Sequence, residues 1–269
     1  MSAEKGEYMA RKIVITSGKG GVGKTTVSAK LGAKLASLGF RVAVLDMDIG
    51  LNNLDVVMGI EQRVNFDILD VICGNCRLKQ ALVQDEKYPS LYVLASNHAY
   101  SDDYIKKEDI KKIVDKLSEV FDYILLDCPA GVDEGFRRAV YSAEEAIVVV
   151  TPHISSVRDA DKVLSILSGC ELLGKYIVIN RVRGDFEATQ ETLSVEEIVR
   201  FLKTKIIGVI PEDDGITKGY TATDNGRELD RAMTLLAENL HNGSKKIYDV
   251  AKKYRGFWGL LRRNIKKKV

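Results

Sequence analysis

The sequence predicts an α/β fold in which a mostly parallel, twisted sheet of seven or eight strands carries helices on both faces. Apolar runs of strand length alternate with longer helical patterns along the chain. The runs are rich in Val and Ile and lack polar alternation, as expected of strands that are buried on both faces. A length of 269 residues suits one large domain of this class.

Seven segments are candidate strands: Lys12–Thr16, Arg41–Asp46, Leu91–Ala95, Tyr123–Asp127, Ala146–Thr151, Tyr176–Asn180 and Ile206–Ile210. Helical patterns lie between them at Lys24–Leu38, Asp109–Val120, Asp133–Tyr141, Ser156–Ser168 and Ser194–Leu202. Such alternation gives right-handed crossovers between parallel strands, with the helices covering the sheet.

The composition is that of a globular protein of the cytoplasm. It is 45% hydrophobic and 29% charged, which allows an ample core. No apolar run is long enough to cross a bilayer, and the first ten residues lack the apolar region of a signal peptide. Four cysteines do not make a disulfide framework, so we expect a reducing compartment and structural roles for all four.

The charge distribution divides the chain. Residues 252–269 hold eight Lys or Arg and no acid, which leaves a net charge of −6 on the first 251 residues. We therefore expect a flexible extension at residues 1–10, a single domain at residues 11–250 and a basic tail at residues 251–269. The tail should meet an anionic partner.

The segment "GKGGVGKTT" satisfies the phosphate-loop pattern G-x-x-x-x-G-K-[ST], between a strand and a helical pattern. Glycines let backbone N–H groups turn toward phosphates at a helix N-terminus. Lys24 would reach the β- and γ-phosphates of ATP, and the Thr25 hydroxyl would bind Mg²⁺. The candidate nucleotide-binding residues here are Gly18, Lys19, Gly20, Gly21, Val22, Gly23, Lys24, Thr25 and Thr26.

Three carboxylates follow candidate strands. Asp127 ends one strand, while Asp46 and Asp48 end another. Ligands of open α/β sheets bind at the carboxyl ends of the strands, so these are the candidate metal residues together with Thr25. A carboxylate there can also deprotonate an attacking water. Asp48 is our candidate for that catalytic role, and Asp46 is placed nearer the Mg²⁺ shell.

Together these features resemble the deviant-Walker P-loop ATPases, which include chromosome-partition ATPases, the nitrogenase iron protein and septum-site-determining ATPases. Their mark is K-G-G-x-G-K-T, matched here from Lys19 to Thr25. The resemblance implies a homodimer in which Lys19 contacts the phosphates bound by the partner subunit, much as an arginine finger does. Lys19 is therefore a second candidate catalytic residue.

The base is predicted to be adenine. Guanine-binding relatives carry N/T-K-x-D after a late strand, and the acid is missing here from "VINRVRGD". Asn180 resembles the family's adenine-contacting Asn, although an ordinary turn residue would look the same. Pro211 and Glu212 in "GVIPEDD" resemble a second adenine-side loop.

Two further stretches, "DMDIGLNNLDVVMG" and "TPHISSVRDADK", resemble the septum-site-determining branch. That resemblance implies a division-inhibitor partner and a topological regulator that stimulates hydrolysis. It also makes Asp159 a candidate partner contact, while an acid favoured by the helix dipole explains the same residue almost as well.

The tail "KKYRGFWGLLRRNIKKKV" has the pattern of an amphipathic helix. Five apolar residues fall on one arc of about 120° together with Val269, and Leu260 lies just beyond its edge. A basic helix with such a face lies in the plane of an anionic bilayer, so we expect peripheral binding to the inner face of the cell membrane. The five are Tyr254, Phe257, Trp258, Leu261 and Ile265.

Other functions stay open at this point. A DNA-binding partition ATPase would use the basic residues on phosphates, and a flagellar-number ATPase of the same family shares the amphipathic tail. A metabolic P-loop kinase would leave Lys19 and the tail without a role. The tail helix could also pack on the body of the protein, which explains its apolar arc but not its eight cations. Cys73 and Cys76 form a lone C-x-x-C, which is half a zinc site at most.

Overall fold

The protein is described by a computed structural model over residues 9–49, 53–96, 105–189, 192–212 and 226–254. Eight strands occur in these ranges: β1 Arg11–Thr16, β2 Val42–Asp46, β3 Leu82–Gln84, β4 Leu91–Leu94, β5 Tyr123–Asp127, β6 Glu145–Val150, β7 Gly174–Val182 and β8 Lys205–Pro211. They form one sheet in the order β3-β4-β2-β5-β1-β6-β7-β8. Neighbours are parallel except β3 and β4, which are antiparallel.

Ten α-helices occur in the same ranges. They are α1 Lys24–Ser37, α2 Leu54–Met58, α3 Ile68–Cys73, α4 Leu78–Ala81, α5 Lys107–Ser118, α6 Glu134–Tyr141, α7 Ile154–Leu167, α8 Gly184–Thr189, α9 Val195–Leu202 and α10 Arg227–Asn242. Single 3-10 turns lie at Glu61–Arg63 and Lys252–Tyr254.

The sheet has a separate apolar core on each face. One face is covered mainly by α1 and α10, and the other by α5, α6, α7 and α9. Helix α1 lies close to the sheet at Gly32, where an added Cβ would be 2.7 Å from a methyl of Val44. The predicted fold class is therefore confirmed: the sheet is mostly parallel, has eight strands and carries helices on both faces.

All seven predicted strands and all five predicted helices are present, with ends shifted by one or two residues in most cases. The sequence prediction missed β3, a three-residue edge strand, and the short helices α2, α3, α4 and α8. It also missed α10, whose buried Leu229, Met233 and Leu236 pack on the sheet face beside α1.

The burial of residues at the two ends of the described chain can be compared with the predicted domain limits. Ala10 is buried and Met9 is 78% exposed, so packing begins at the residue before β1. At the other end Tyr254 is 5% exposed. The predicted amphipathic helix from residue 255 onward lies outside the described residues, as do residues 1–8.

Candidate functional site

The segment that links β1 to α1 forms a tight loop at the carboxyl edge of the sheet. Gly21 and Gly23 have φ of 75° and 92°, the left-handed region that glycine adopts most readily. Gly23 is the N-cap residue of α1, with no side chain capping the helix and no acid in its first turn. The first N–H groups of α1 and its partial positive charge therefore remain for an anion.

Lys24, the first residue of α1, is buried to 8% exposure. One helical turn later the Ser28 hydroxyl donates to the Asp127 carboxylate at 2.7 Å. The positive charge of Lys24 also lies close enough to Asp127 to favour its ionised form. The Asp127 carboxylate accepts a further hydrogen bond from the Thr25 hydroxyl. The start of α1 and the end of β5 thus form one polar cluster, which brings together Thr25 and Asp127, two of the candidate metal residues.

Asp46 joins this cluster through sheet register. It is the residue of β2 paired with Asp127 of β5, and both side chains are 1% exposed. Burial, followed by the charge of Asp127, raises the pKa of Asp46 to about 7. Burial raises the pKa of Asp127 to about 6, against the hydrogen bonds from Ser28 and Thr25.

Two desolvated carboxyl groups at adjacent strand ends are costly as a charged pair, and a cation between them would lower that cost. Mg²⁺ usually binds one or two carboxylates, a nucleotide phosphate and several waters, and needs no cage of protein ligands. Among the described residues no group of three His, Cys, Asp or Glu side chains could hold a metal by itself. The donor set therefore fits Mg²⁺ bound together with a nucleotide.

Asp48 lies on the loop after β2 and is half-buried. Its backbone N–H donates to the Asp46 carboxylate at 2.9 Å. Its charge raises the pKa values of both Asp46 and Asp127, so it lies near the carboxyl pair. Asp48 therefore lies beside the carboxyl pair and is more accessible to solvent than either member of the pair.

Lys19 is exposed at the front of the phosphate loop. Its ammonium group lies 3.5 Å from the Ser155 hydroxyl on α7, and its carbonyl accepts from the Ser17 hydroxyl at 2.8 Å. Lys24, by contrast, is buried and close to Asp127. Lys19 is thus the lysine of the motif that solvent or a second molecule can reach.

Helix α7 packs directly against the start of the loop. A Cβ on Gly18 would lie 2.3 Å from the main-chain carbonyl of Asp159. The Asp159 side chain forms an ion pair with Lys162 at 3.1 Å and is 31% exposed. The candidate partner contact therefore lies on the helix that touches the phosphate loop.

Asn180, buried near the end of β7, braces the phosphate loop. Its side-chain N–H donates to the Val22 carbonyl at 2.8 Å. Two residues further along β7, Val182 pairs with Pro211 of β8. The Val182 carbonyl accepts a hydrogen bond from the Glu212 N–H at 3.1 Å. The three predicted adenine-side residues thus come together through the pairing of β7 with β8.

A cavity of about 400 Å³ opens beside the loop. Its walls are Lys19–Val22, the β6–α7 connection at Pro152 and His153, and residues of β7, α8 and the segments that follow β7 and β8: Arg181, Arg183, Phe186 and Glu212. Sequence reasoning missed Ser28 and Phe186, and it used Arg183 only as the residue standing where a guanine-binding acid would be. Ser28 had a signal, since it lies four residues after Lys24 on the same helix face, whereas the place of Phe186 depends on tertiary packing.

Tyr254 differs from its predicted role. The tail pattern assigned it to a lipid-facing surface, but its ring is buried against α8, where it would lie 3.0 Å from a Cβ on Gly184. In this conformation Tyr254 packs the end of the described chain against α8. Phe257, Trp258, Leu260, Leu261 and Ile265 lie outside the described residues.

The four cysteines are free thiols. Burial raises the pKa of Cys128, and burial with the charge of Asp70 raises that of Cys76, so neither has the lowered pKa of a reactive thiol. In the described part of the chain, no helix is long and apolar enough to span a bilayer.

Comparison with known proteins relates this chain to one family of nucleotide-binding proteins. Residues 13–222 match the nucleotide-binding domain of the CobQ/CobB/MinD/ParA family. The septum site-determining protein MinD of Bacillus subtilis is 45% identical over 223 residues, which cover 82% of each chain.

Solved structures agree with this. The MinC:MinD cell division protein complex of Aquifex aeolicus includes a chain that is 39% identical with a TM-score of 0.80, covering 87% of this chain and 97% of that one. The septum site-determining protein MinD of Pyrococcus horikoshii, complexed with Mg-ADP, is 31% identical with a TM-score of 0.74 over 87% of this chain and 96% of its own.

Proposed function

The chain belongs to the CobQ/CobB/MinD/ParA family of nucleotide-binding proteins, and we propose that it is a MinD-type membrane switch. It is a Mg²⁺-dependent P-loop ATPase of septum placement, as its relatives and the Mg-ADP complex of one of them support. In our proposal ATP causes two copies to pair, and the pair attaches to the inner face of the cell membrane through its tails.

ATP is held by the phosphate loop. The Gly21 and Gly23 conformations and the uncapped N-terminus of α1 direct backbone donors toward the phosphates. Lys24 supplies a fixed charge from a buried position. When bound, Mg²⁺ neutralises phosphate charge and polarises the bond that breaks. Thr25, Asp46 and Asp127 are the residues that would hold the ion or its waters.

Hydrolysis needs a base beside the γ-phosphate. Asp48 lies on the loop after β2, close to the carboxyl pair but less buried. We assign it to accept a proton from the attacking water, or to orient that water. A proton taken there can pass to solvent without entering the buried Asp46–Asp127 pair.

Pairing is assigned to Lys19. A lysine exposed at the edge of a nucleotide cavity can reach outward to a second subunit. Placed against the phosphates of the partner's ATP, it would stabilise the charge that develops during transfer and link triphosphate to dimerisation. The division-inhibitor partner is supported by the relative solved as a MinC:MinD complex, and Asp159 on α7 is a candidate residue for that contact.

Membrane attachment is assigned to residues 255–269. They carry six Lys or Arg and the apolar residues Phe257, Trp258, Leu260, Leu261 and Ile265. Each cation near an anionic surface contributes about 1 kcal/mol to the free energy of binding. The cost of forming a helix that contains two glycines opposes this binding. One tail is therefore marginal, whereas two tails held in a dimer gain from effective concentration.

The observation that carries the proposal is the phosphate loop with an exposed Lys19 in the same chain as a basic, apolar tail. Co-sedimentation with anionic vesicles tests it, using the full chain and a chain ending at Tyr254, each with ATP or ADP. We expect strong binding only of the full chain with ATP. Equal binding with ATP and ADP would overturn the switch, and ATP-dependent binding to DNA by the shortened chain would favour a partition ATPase.

A further inference from the structure

Arg183 lies three residues after Asn180, just beyond the end of β7. Guanine-binding P-loop proteins place an acid three residues after the conserved Asn, where it accepts hydrogen bonds from guanine. In this chain Asn180 occupies the Asn position and Arg183 follows three residues later. An acceptor is thus replaced by a guanidinium group, which carries five N–H donors and no acceptor.

The structure holds this guanidinium group in a defined place. Its Nη2 atom donates to the Asp185 carboxylate at 2.7 Å and its Nε to the same carboxylate at 3.3 Å. The Asp185 side chain is only 9% exposed, so the anchor is itself fixed. The Arg183 Cζ atom also lies 3.9 Å from the centroid of the Phe186 ring, well within cation–π distance.

The anchored group faces the nucleotide cavity. Arg183 and Phe186 line the cavity together with Val22 of the phosphate loop and Glu212 after β8. The side-chain N–H of Asn180 donates to the main-chain carbonyl of the same Val22. The Arg183 side chain is 35% exposed, and a base bound beside Asn180 would lie within reach of it.

We propose that Arg183, positioned by Asp185 and Phe186, is the residue that excludes guanine and selects adenine. In the orientation in which guanine-binding proteins hold the base, its N1–H and N2–H₂ donors would face the N–H donors and positive charge of Arg183. The guanidinium group is already paired with Asp185 and lies 3.9 Å from the Glu212 carboxylate. Adenine presents the acceptor N1 on the same edge. The selection works chiefly by penalising the wrong base, and a mismatch of polar groups inside a site discriminates strongly.

The inference extends the proposed function and depends only on nucleotide binding. Pairing and membrane attachment could both fail while Arg183 still sets the choice of base. Conversely, Arg183 could prove irrelevant in a working membrane switch. The test therefore measures the ratio of GTP to ATP dissociation constants in the full chain, with Mg²⁺ and without vesicles.

Three variants make the test decisive. Arg183→Asp restores the acceptor of guanine-binding proteins, and Arg183→Gln removes the charge while keeping a polar side chain. The control, Arg200→Gln, removes an exposed cation of α9 that lies outside the lining of this cavity. Circular dichroism establishes that each variant folds, and Arg183→Gln decides alone if Arg183→Asp does not fold.

We expect the wild type to prefer ATP by about tenfold or more. The preference should fall at least threefold in Arg183→Gln, fall further or reverse in Arg183→Asp, and stay within twofold of wild type in Arg200→Gln. A wild type that binds GTP as tightly as ATP would overturn the proposal. So would Arg183 variants that weaken both nucleotides equally, because Arg183 would then be a stacking surface without selectivity.

Discussion

A Cβ on Gly23 would lie 2.4 Å from the side-chain nitrogen of Asn180. The same nitrogen donates to the Val22 carbonyl at 2.8 Å. The end of β7 therefore packs against the phosphate loop at Gly23, the N-cap residue of α1. Asn180, which the family resemblance assigns to adenine, also fixes the loop that receives the phosphates.

Asn180→Asp should weaken ATP and ADP binding alike, by about tenfold or more. The substitution replaces a donor with an acceptor that faces the Val22 carbonyl, and it brings a negative charge toward the phosphates. Fluorescent-nucleotide titration measures the effect. If Asn180 contacted only the base, Asn180→Asp would instead change the ratio of ATP to GTP affinity and leave the loop intact. Dissociation constants within twofold of wild type would contradict the bracing role.

Asp48→Ala should keep ATP binding and pairing but slow hydrolysis by about a hundredfold. The buried Asp46–Asp127 pair is left in place, so the Mg²⁺ residues are intact. A phosphate-release assay and sedimentation velocity with ATP measure the two properties. Asp55→Ala, which removes a carboxylate from the nearby helix α2, is the matched control and should behave as wild type. An Asp48→Ala protein that stays monomeric with ATP would refute the assigned role.

The buried carboxyl pair predicts an unusual pH dependence in the absence of nucleotide and Mg²⁺. The pKa of Asp46 is raised from 3.8 to about 7. Below pH 7 the folded protein therefore holds a proton that the unfolded chain does not hold until about pH 4. The contribution of Asp46 to the free energy of unfolding should rise as pH falls through this window and be least favourable above pH 7.

Asp46→Asn isolates that contribution, because the amide is neutral throughout and its oxygen can still accept from the Asp48 N–H. Relative to wild type, the variant should gain stability at pH 8 and lose this advantage toward pH 5. Urea unfolding of both proteins at matched pH values gives the difference. A difference that does not vary between pH 5 and pH 8 would show that Asp46 titrates normally.

Trp258→Glu should release the protein from anionic vesicles in the presence of ATP while leaving basal ATP hydrolysis unchanged. The substitution puts a charge in the middle of the proposed apolar face and removes a large interfacial side chain. Trp258→Phe retains an apolar aromatic and should keep most of the binding. Vesicle flotation compares the three proteins. Retention of Trp258→Glu on vesicles would show that the membrane contact lies elsewhere.

The sequence was sufficient for the fold class because central parallel strands are apolar on both faces and punctuated by helical patterns. The edge strand β3 was missed because three residues, Leu82–Gln84, give no periodicity. The phosphate loop and the strand-end carboxylates are local motifs, so they could be proposed from the sequence directly. The sequence placed Arg183 three residues after Asn180, but its packing on Phe186 beside Glu212 depends on the pairing of β7 with β8.

Tyr254 shows the limit of periodicity in the tail. A helical projection places it with the apolar residues that follow, yet it is buried against the body at Gly184. A period of 3.6 residues cannot distinguish an apolar side chain that packs on its own domain from one that meets lipid. The proposed membrane segment accordingly begins after Tyr254.

In our proposal, two tails in one ATP-bound dimer hold the protein on an anionic membrane that a single tail does not hold. A mixing experiment tests this: increasing amounts of a chain ending at Tyr254 are added to a fixed amount of full chain with ATP and anionic vesicles. Mixed dimers carry one tail, so the bound fraction of full chain should fall steeply as the shortened chain approaches excess. The same shortened chain with Lys19→Ala, which should bind ATP without pairing, should have little effect. A bound fraction that stays constant with the pairing-competent shortened chain would contradict the account.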